Sequence, residues 1–317
     1  MSKNGLPRKP LTKRRLKNLI LNVLKNPFNM VVLVSLVILF CLIIIPLLTM
    51  IANTFTLAQG ELRRVQGHVG DFTLYYWKYI LASTLSGAVL WGPLKNSFIC
   101  GFFTVLVSVP LGSVLAWLMI RTDIPGKKIL GLLVTVPYMI PSWTKALAWL
   151  AMFRNSTSGA DGFLAGMGIP IPDWLAYGPI AIVLCMSMHY YAFSYIMVSG
   201  ALRSINSELE EMGEIQGASK AQILRHITLP LILPSVLSAT VMTISKSIGT
   251  YGVPANLGNR IGYYTLATKM RNFIDQGPQA VGYAMSIVLV LLAALIIFSN
   301  QRIVGVRKSY ATVSGKG

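Results

Sequence analysis

The chain has 317 residues, of which 54% are hydrophobic and only 12% charged, whereas a soluble domain usually carries about 25% charged residues. That composition excludes a pair of ordinary soluble domains, because their surface needs more charge than this chain has. The net charge of +18 suits a polyanion partner, but basic residues also set membrane topology, so their positions decide.

A membrane span needs about 20 mostly apolar residues. Six stretches qualify: 30–51, 96–120, 129–152, 179–201, 229–249 and 280–300. The first runs from Met30 to Ile51 without a charge. It is too long for the core of a signal peptide and reads as an uncleaved span. With six spans, 18 Lys and Arg fall on the side of the two termini and 8 on the other, while Lys145 and Lys246 lie within spans. The excess puts both termini inside. The expected fold is an all-α polytopic membrane protein, with tails 1–29 and 301–317 flanking a transmembrane domain over 30–300. Cys41, Cys100 and Cys185 sit in apolar runs with no CxxC pair, which argues against a metal or disulfide framework.

Two flanking segments read as interfacial. Residues 12–26 place Leu16, Leu19, Ile20, Val23 and Leu24 on one helical stripe, as in a basic amphipathic helix on an anionic leaflet. Residues 72–91 are aromatic-rich and fit an outer-interface helix better than a seventh span, which would put the termini on opposite sides.

In the third span, Pro137 and Pro141 interrupt the helical ladder, as a packing kink or as the broken helix that flanks many transport routes. Within that span and the fifth, Lys145 and Lys246 lie at similar depth near the outer mouth. Either they snorkel to the headgroups or they form a positive rim for an anionic substrate. Span four carries His189, Tyr191 and Tyr195, which either bond neighbouring helices or face the substrate path. A lone His with no second ligand is a poor metal site, so no metal is expected.

The most informative segment is the loop 203–230, RSINSELEEMGEIQGASKAQILRHITLP. Ser207 with Glu210, and Ser219 with Gln222, have the spacing of capping boxes. Gly217 suits the left-handed end of a first short helix, and Pro230 marks the join to span five. The loop therefore reads as two short helices meeting at Gly217. It is locally acidic, with four Glu against three basic residues.

Glu211, Gly217 six residues on, then Ile227, Leu229 and Pro230 resemble the EAA signature of permease subunits of binding-protein-dependent ABC importers of type I. Met212 and Gly213 stand where that signature has two alanines. The resemblance covers roughly residues 70–300, including Leu94-Lys95-Asn96-Ser97 at the start of span two. It implies a six-helix permease whose loop couples to an ATPase, with Glu210, Glu211, Gly217, Ala218, Ile227, Leu229 and Pro230 as coupling residues. It also implies two ATPase subunits, a second permease subunit, a periplasmic solute-binding protein and a bacterial inner membrane. No phosphate-binding G-x-x-x-x-G-K-[ST] loop occurs in the sequence. ATP and Mg are therefore expected on the partner ATPase, with no cofactor, catalysis or nucleic acid on this chain.

The IPSWTKALAWLAMF run and the YGVPANLG loop resemble the branch that handles iron(III), thiamine, polyamines and phosphonates. Together with the two lysines they lean the expected cargo toward iron(III) or another anionic or chelated solute. The turn-rich segment from Gly249 resembles a contact for the binding protein, and the ending 310–317 resembles the connector of fused two-repeat permeases. The rival class is a self-contained channel or secondary carrier, which leaves the capped loop unexplained.

Overall fold

The computed structural model describes residues 27–62, 65–206 and 208–307. The amphipathic stripe over 12–26, Ser207 and the ending 310–317 lie outside the described residues. In chain order the helices are α1 (Pro27–Asn53), α2 (Tyr75–Ala82), α3 (Gly87–Arg121), α4 (Lys127–Met139), α5 (Ser142–Phe153), α6 (Gly178–Ser204), α7 (Glu208–Ile215), α8 (Lys220–Gly249), α9 (Gly252–Leu257), α10 (Leu266–Gln276) and α11 (Gln279–Arg307). Among the described residues the only strand-like pairing is an isolated bridge between Thr56 and Phe72.

Five helices (α1, α3, α6, α8 and α11) are long and apolar enough to cross a membrane. For the remaining span the sequence leaves a packing kink or a broken helix open, and the structure has the break, at Pro141 alone, with Pro137 inside the first half. The span is split into α4 and α5 at Ile140-Pro141, and Ile140 is extended (φ −79°, ψ 129°). The cause is local, because a proline disfavours helical geometry in the residue before it. At ~1.5 Å per residue neither half reaches across a ~30 Å hydrocarbon layer, so the two halves share the crossing.

At the centre, α3 packs along α6. Thr104, Ser108, Gly112 and Ala116 recur every fourth residue of α3 and are all buried. Small residues at that spacing let helix backbones approach closely, which drives association where lipid offers no hydrophobic contrast. Gly112 is the tightest point: a Cβ there would lie 2.4 Å from the Tyr191 carbonyl oxygen and 2.7 Å from Ser194 Cβ. Around this pair, one core cluster joins α6 to α5 and α9, and a second lies at the other end among α3, α6 and α8.

Two segments depart from their sequence reading. The aromatic stretch 72–91 is not one interfacial helix. Its first half is α2, whose Tyr76 and Ile80 are buried against Val281, Ala284 and Met285 of α11; its end already belongs to span two, which begins at Gly87. The turn-rich segment after Gly249 folds inward, because α9 buries Val253, Pro254 and Leu257 in the bundle. Gly252 permits this, since a Cβ there would meet Trp143 Cβ at 2.6 Å. The Asn96-Ser97 pair fixes the return: Asn96 Nδ2 donates to Tyr264 O at 2.9 Å, and Ser97 Oγ accepts from Leu266 N at 2.8 Å.

Helix α1 stands apart. None of its residues is buried in the chain, apart from contacts of its last turns with α11. Its apolar side chains are left for lipid or another subunit.

Candidate functional site

The loop between α6 and α8 is built by local signals. Asn206 starts α7, with its Oδ1 accepting from Glu208 N at 3.2 Å. The helix ends in a Schellman motif: Ala218 N donates to Gly213 O at 3.0 Å and Gly217 N to Glu214 O at 2.9 Å, with Gly217 at φ +82°. Ser219 and Gln222 then form the expected capping box, Ser219 N donating to Gln222 Oε1 at 2.7 Å.

One expectation is corrected here. Pro230 does not break the chain into a separate span. The second short helix runs through it into span five by way of a π turn over Leu224–Thr228, where Leu229 N bonds back to Leu224 O. That turn shifts the hydrogen-bond register just before the residue that has no N–H to give. Glu210, whose expected capping partner Ser207 lies outside the described residues, is engaged by more distant partners. Its Oε2 pairs with Arg121 Nε at 2.8 Å and its Oε1 accepts from Thr228 Oγ1 at 2.6 Å. Sequence reasoning missed Arg121 and Thr228 because nothing local links them to α7.

These bonds give α7 two faces. Glu210 and Gly213 look toward the bundle, and a Cβ at Gly213 would stand 3.2 Å from both Ile223 and Ile227. Gly213, a departure from the resembled signature, therefore brings the two helices close together. On the outer face, Leu209, Met212 and Ile215 follow at intervals of three and are exposed, Met212 by 56% and Ile215 by 85%. Glu211 is exposed beside them, Ala218 and Ile227 are half-buried, and Leu229 and Pro230 are exposed.

The second constellation surrounds the break between α4 and α5. The last turn of α4 leaves carbonyls without helical partners. The Lys145 ammonium, from the first turns of α5, fills the gap. It donates to Pro137 O and, at 3.2 Å, to Ile140 O, and it pairs with His189 Nδ1 of α6 at 2.5 Å. A cation at the negative end of a half-helix is favourably placed. Lys145 thus points into the break rather than snorkelling outward.

Tyr138 extends the group. It stacks on His189 and Phe193, and its hydroxyl accepts from Lys246 Nζ at 3.2 Å. Lys246 also lies 4.7 Å from the centre of the Phe193 ring and is exposed. The structure therefore brings Lys145, His189 and Lys246 together through Tyr138, which no local sequence pattern singles out. The other two candidates lie elsewhere: Tyr191 meets Gly112 through its carbonyl, and Tyr195 is buried toward the end that carries α7.

The fold is thus a membrane-spanning bundle with one broken span and a capped two-helix loop at one end. Residues 108–309, well over half of the chain, match the family described as binding-protein-dependent transport system inner membrane component. The chain belongs to this family, and it is a permease of the ABC importer type. It is 26% identical over 208 residues to the sulfate transport system permease protein CysT of Salmonella typhimurium, covering 65% of this chain and 73% of that protein. It is 28% identical over 232 residues to the putative 2-aminoethylphosphonate transport system permease protein PhnV of the same organism, covering 73% and 80%. A probable sulfate transport permease protein of Marchantia polymorpha is 27% identical over 180 residues, covering 56% of this chain and only 59% of that protein. Among solved structures, a bacterial ABC transporter that imports the acidic polysaccharide alginate has a chain of similar fold. Its TM-score is 0.68 at 18% identity, over 92% of this chain and 98% of that one. The inward-facing MetNI methionine ABC transporter gives 0.54 at 24% identity, over 71% and 98%.

Proposed function

We propose that this permease carries a small tetrahedral oxyanion, of the sulfate or phosphonate kind, across a bacterial inner membrane by alternating access. A periplasmic binding protein delivers the cargo, and ATP bound with Mg to two separate ATPase subunits drives the cycle. A second permease subunit completes the pathway. The observation that carries the cargo reading is the Lys246–Tyr138–His189–Lys145 group, which has two cations and no carboxylate in contact among the described residues. Lys145 is held by helix-end carbonyls, which leaves Lys246, with the Tyr138 hydroxyl beside it, as the cation that meets an anion. The relatives named above for sulfate and 2-aminoethylphosphonate support this choice over the iron(III) expectation, which none of them shares.

Coupling is assigned to the loop 206–230. Its outer apolar face, Leu209, Met212 and Ile215, is the surface that seats on an ATPase. The Glu210–Arg121 pair and the continuous α8 then carry motion into the spans. Uptake of labelled sulfate, 2-aminoethylphosphonate, ferric complex and polyamine into proteoliposomes holding the whole transporter tests the cargo. Oxyanion uptake is expected, with KM rising about tenfold in Lys246→Gln and recovering in Lys246→Arg. Preferential polyamine or iron import, indifferent to the charge at 246, contradicts it.

A further inference from the structure

At the end of the bundle that carries α7, a cleft of about 670 Å³ opens between the last turns of α3 and α6 and the first turns of α4. Its lining includes Lys127, Lys128 and Arg203, and no carboxylate. Lys127 is the first residue of α4, so the positive end of a 13-residue helix faces the same space. The uncharged polar side chains of the wall are Thr135 of α4 and Tyr195 and Ser199 of α6. Ser199 is only 6% exposed, and its hydroxyl has no hydrogen-bond partner among the described residues. An unpaired buried hydroxyl costs about 1–3 kcal/mol and invites an acceptor. The remaining wall is apolar, with Met119 and Ile196. None of these residues takes part in the Lys246 group or in the outer face of α7.

We infer that this cleft is an oxyanion site that holds a phosphate-type group at the inner membrane surface. Three cations gathered over an apolar wall suit the phosphodiester of an anionic phospholipid, whose chain lies along Met119 and Ile196. Basic pockets between spans on the cytoplasmic side are where such headgroups bind. A free sulfate or phosphate presents the same tetrahedral anion, so the test separates the two sources. The site borders the end of α6, which leads directly into the coupling loop, so its occupancy acts where transport is coupled. This assignment does not depend on which cargo the permease carries.

The test uses the intact transporter with its ATPases in phosphatidylcholine nanodiscs. One arm titrates phosphatidylglycerol and counts bound lipid by native mass spectrometry. The other titrates inorganic sulfate and phosphate into discs without anionic lipid and reads binding by calorimetry. With each cation near the surface worth roughly fivefold (~1 kcal/mol), K127Q/K128Q/R203Q should weaken the bound anion on the order of a hundredfold, whereas K127R/K128R retains it. Binding only in the lipid arm assigns the phospholipid, and binding in the second arm assigns the free anion; either supports the site. Should the triple variant not fold, K128Q alone, at an exposed position, should weaken binding about fivefold. Phosphatidylglycerol and sulfate binding that match the wild type in variants of unchanged melting temperature overturn the inference.

Discussion

Gly112 and Lys145 each show one residue setting a larger geometry. At Gly112 there is no room for a methyl group against the Tyr191 carbonyl, and overpacking of that kind costs about 1–3 kcal/mol. Gly112→Ala should therefore lower the melting temperature in nanodiscs. Gly200→Ala, at a helical site with nothing within 4 Å, should leave it unchanged or raise it, since alanine gains up to ~1 kcal/mol in a helix. Equal behaviour of the two variants would remove the close-contact account. Lys145→Met strips the partner from the Pro137 and Ile140 carbonyls. The expected outcome is a loss of about 1–3 kcal/mol, chiefly at the part-buried Pro137 carbonyl, together with impaired transport. A variant with wild-type stability and uptake would show that the break needs no cation.

At the scale of elements, α7 is tied to α3 by one ion pair and to α8 by one hydroxyl. A double-mutant cycle on Arg121→Ala and Glu210→Ala should return a coupling of about 0.5–3 kcal/mol, because both side chains are only 16% exposed. Additive effects would mean that the pair is incidental. On the opposite side, Asn155 Nδ2 and Thr157 Oγ1 donate to Asp173 Oδ1 at 2.6 and 2.9 Å and hold its carboxyl below the usual carboxylate range. A depressed carboxylate pKa gives an interaction that is present at neutral pH and lost as pH falls through the folded value. Amide exchange in 154–177 should therefore accelerate below the ordinary carboxylate range, and Asn155→Ala should show that faster exchange already at neutral pH. Exchange that is insensitive to both would contradict the role of this clasp.

Much of this element scale was legible in the sequence because capping is local. The Gly217 end and the Ser219–Gln222 box rest on residues within a few positions of each other. The break at Pro141 was readable for the same reason, although how the chain fills it was not. Arg121 reaches Glu210, and Lys246 reaches Tyr138, across long stretches of sequence, and no pattern of spacing announces such pairs. Pro230 misled because a π turn is a shift of hydrogen-bond register, which residue identity alone does not reveal. The inward fold of α9 was hidden likewise, since its glycines read as turn signals until Trp143 is seen packed against Gly252.

At the scale of the whole molecule, most of the positive charge states which way the chain faces, and the acidic loop is a local reversal of it. The loop has an apolar outer face that no other described residue covers, and it continues without interruption into α8. On the proposed reading, a push on Ile215 reaches span five, which carries Lys246, and through Glu210 reaches α3, which lines the cleft. The most direct test measures ATPase association and ATP-driven uptake together for the wild type and Ile215→Asp. Placing a charge at the most exposed apolar residue of the proposed docking face should cost more than tenfold in association and abolish uptake, with the melting temperature of the permease unchanged. Full association and full uptake in Ile215→Asp would contradict the claim that this loop is where the motor engages.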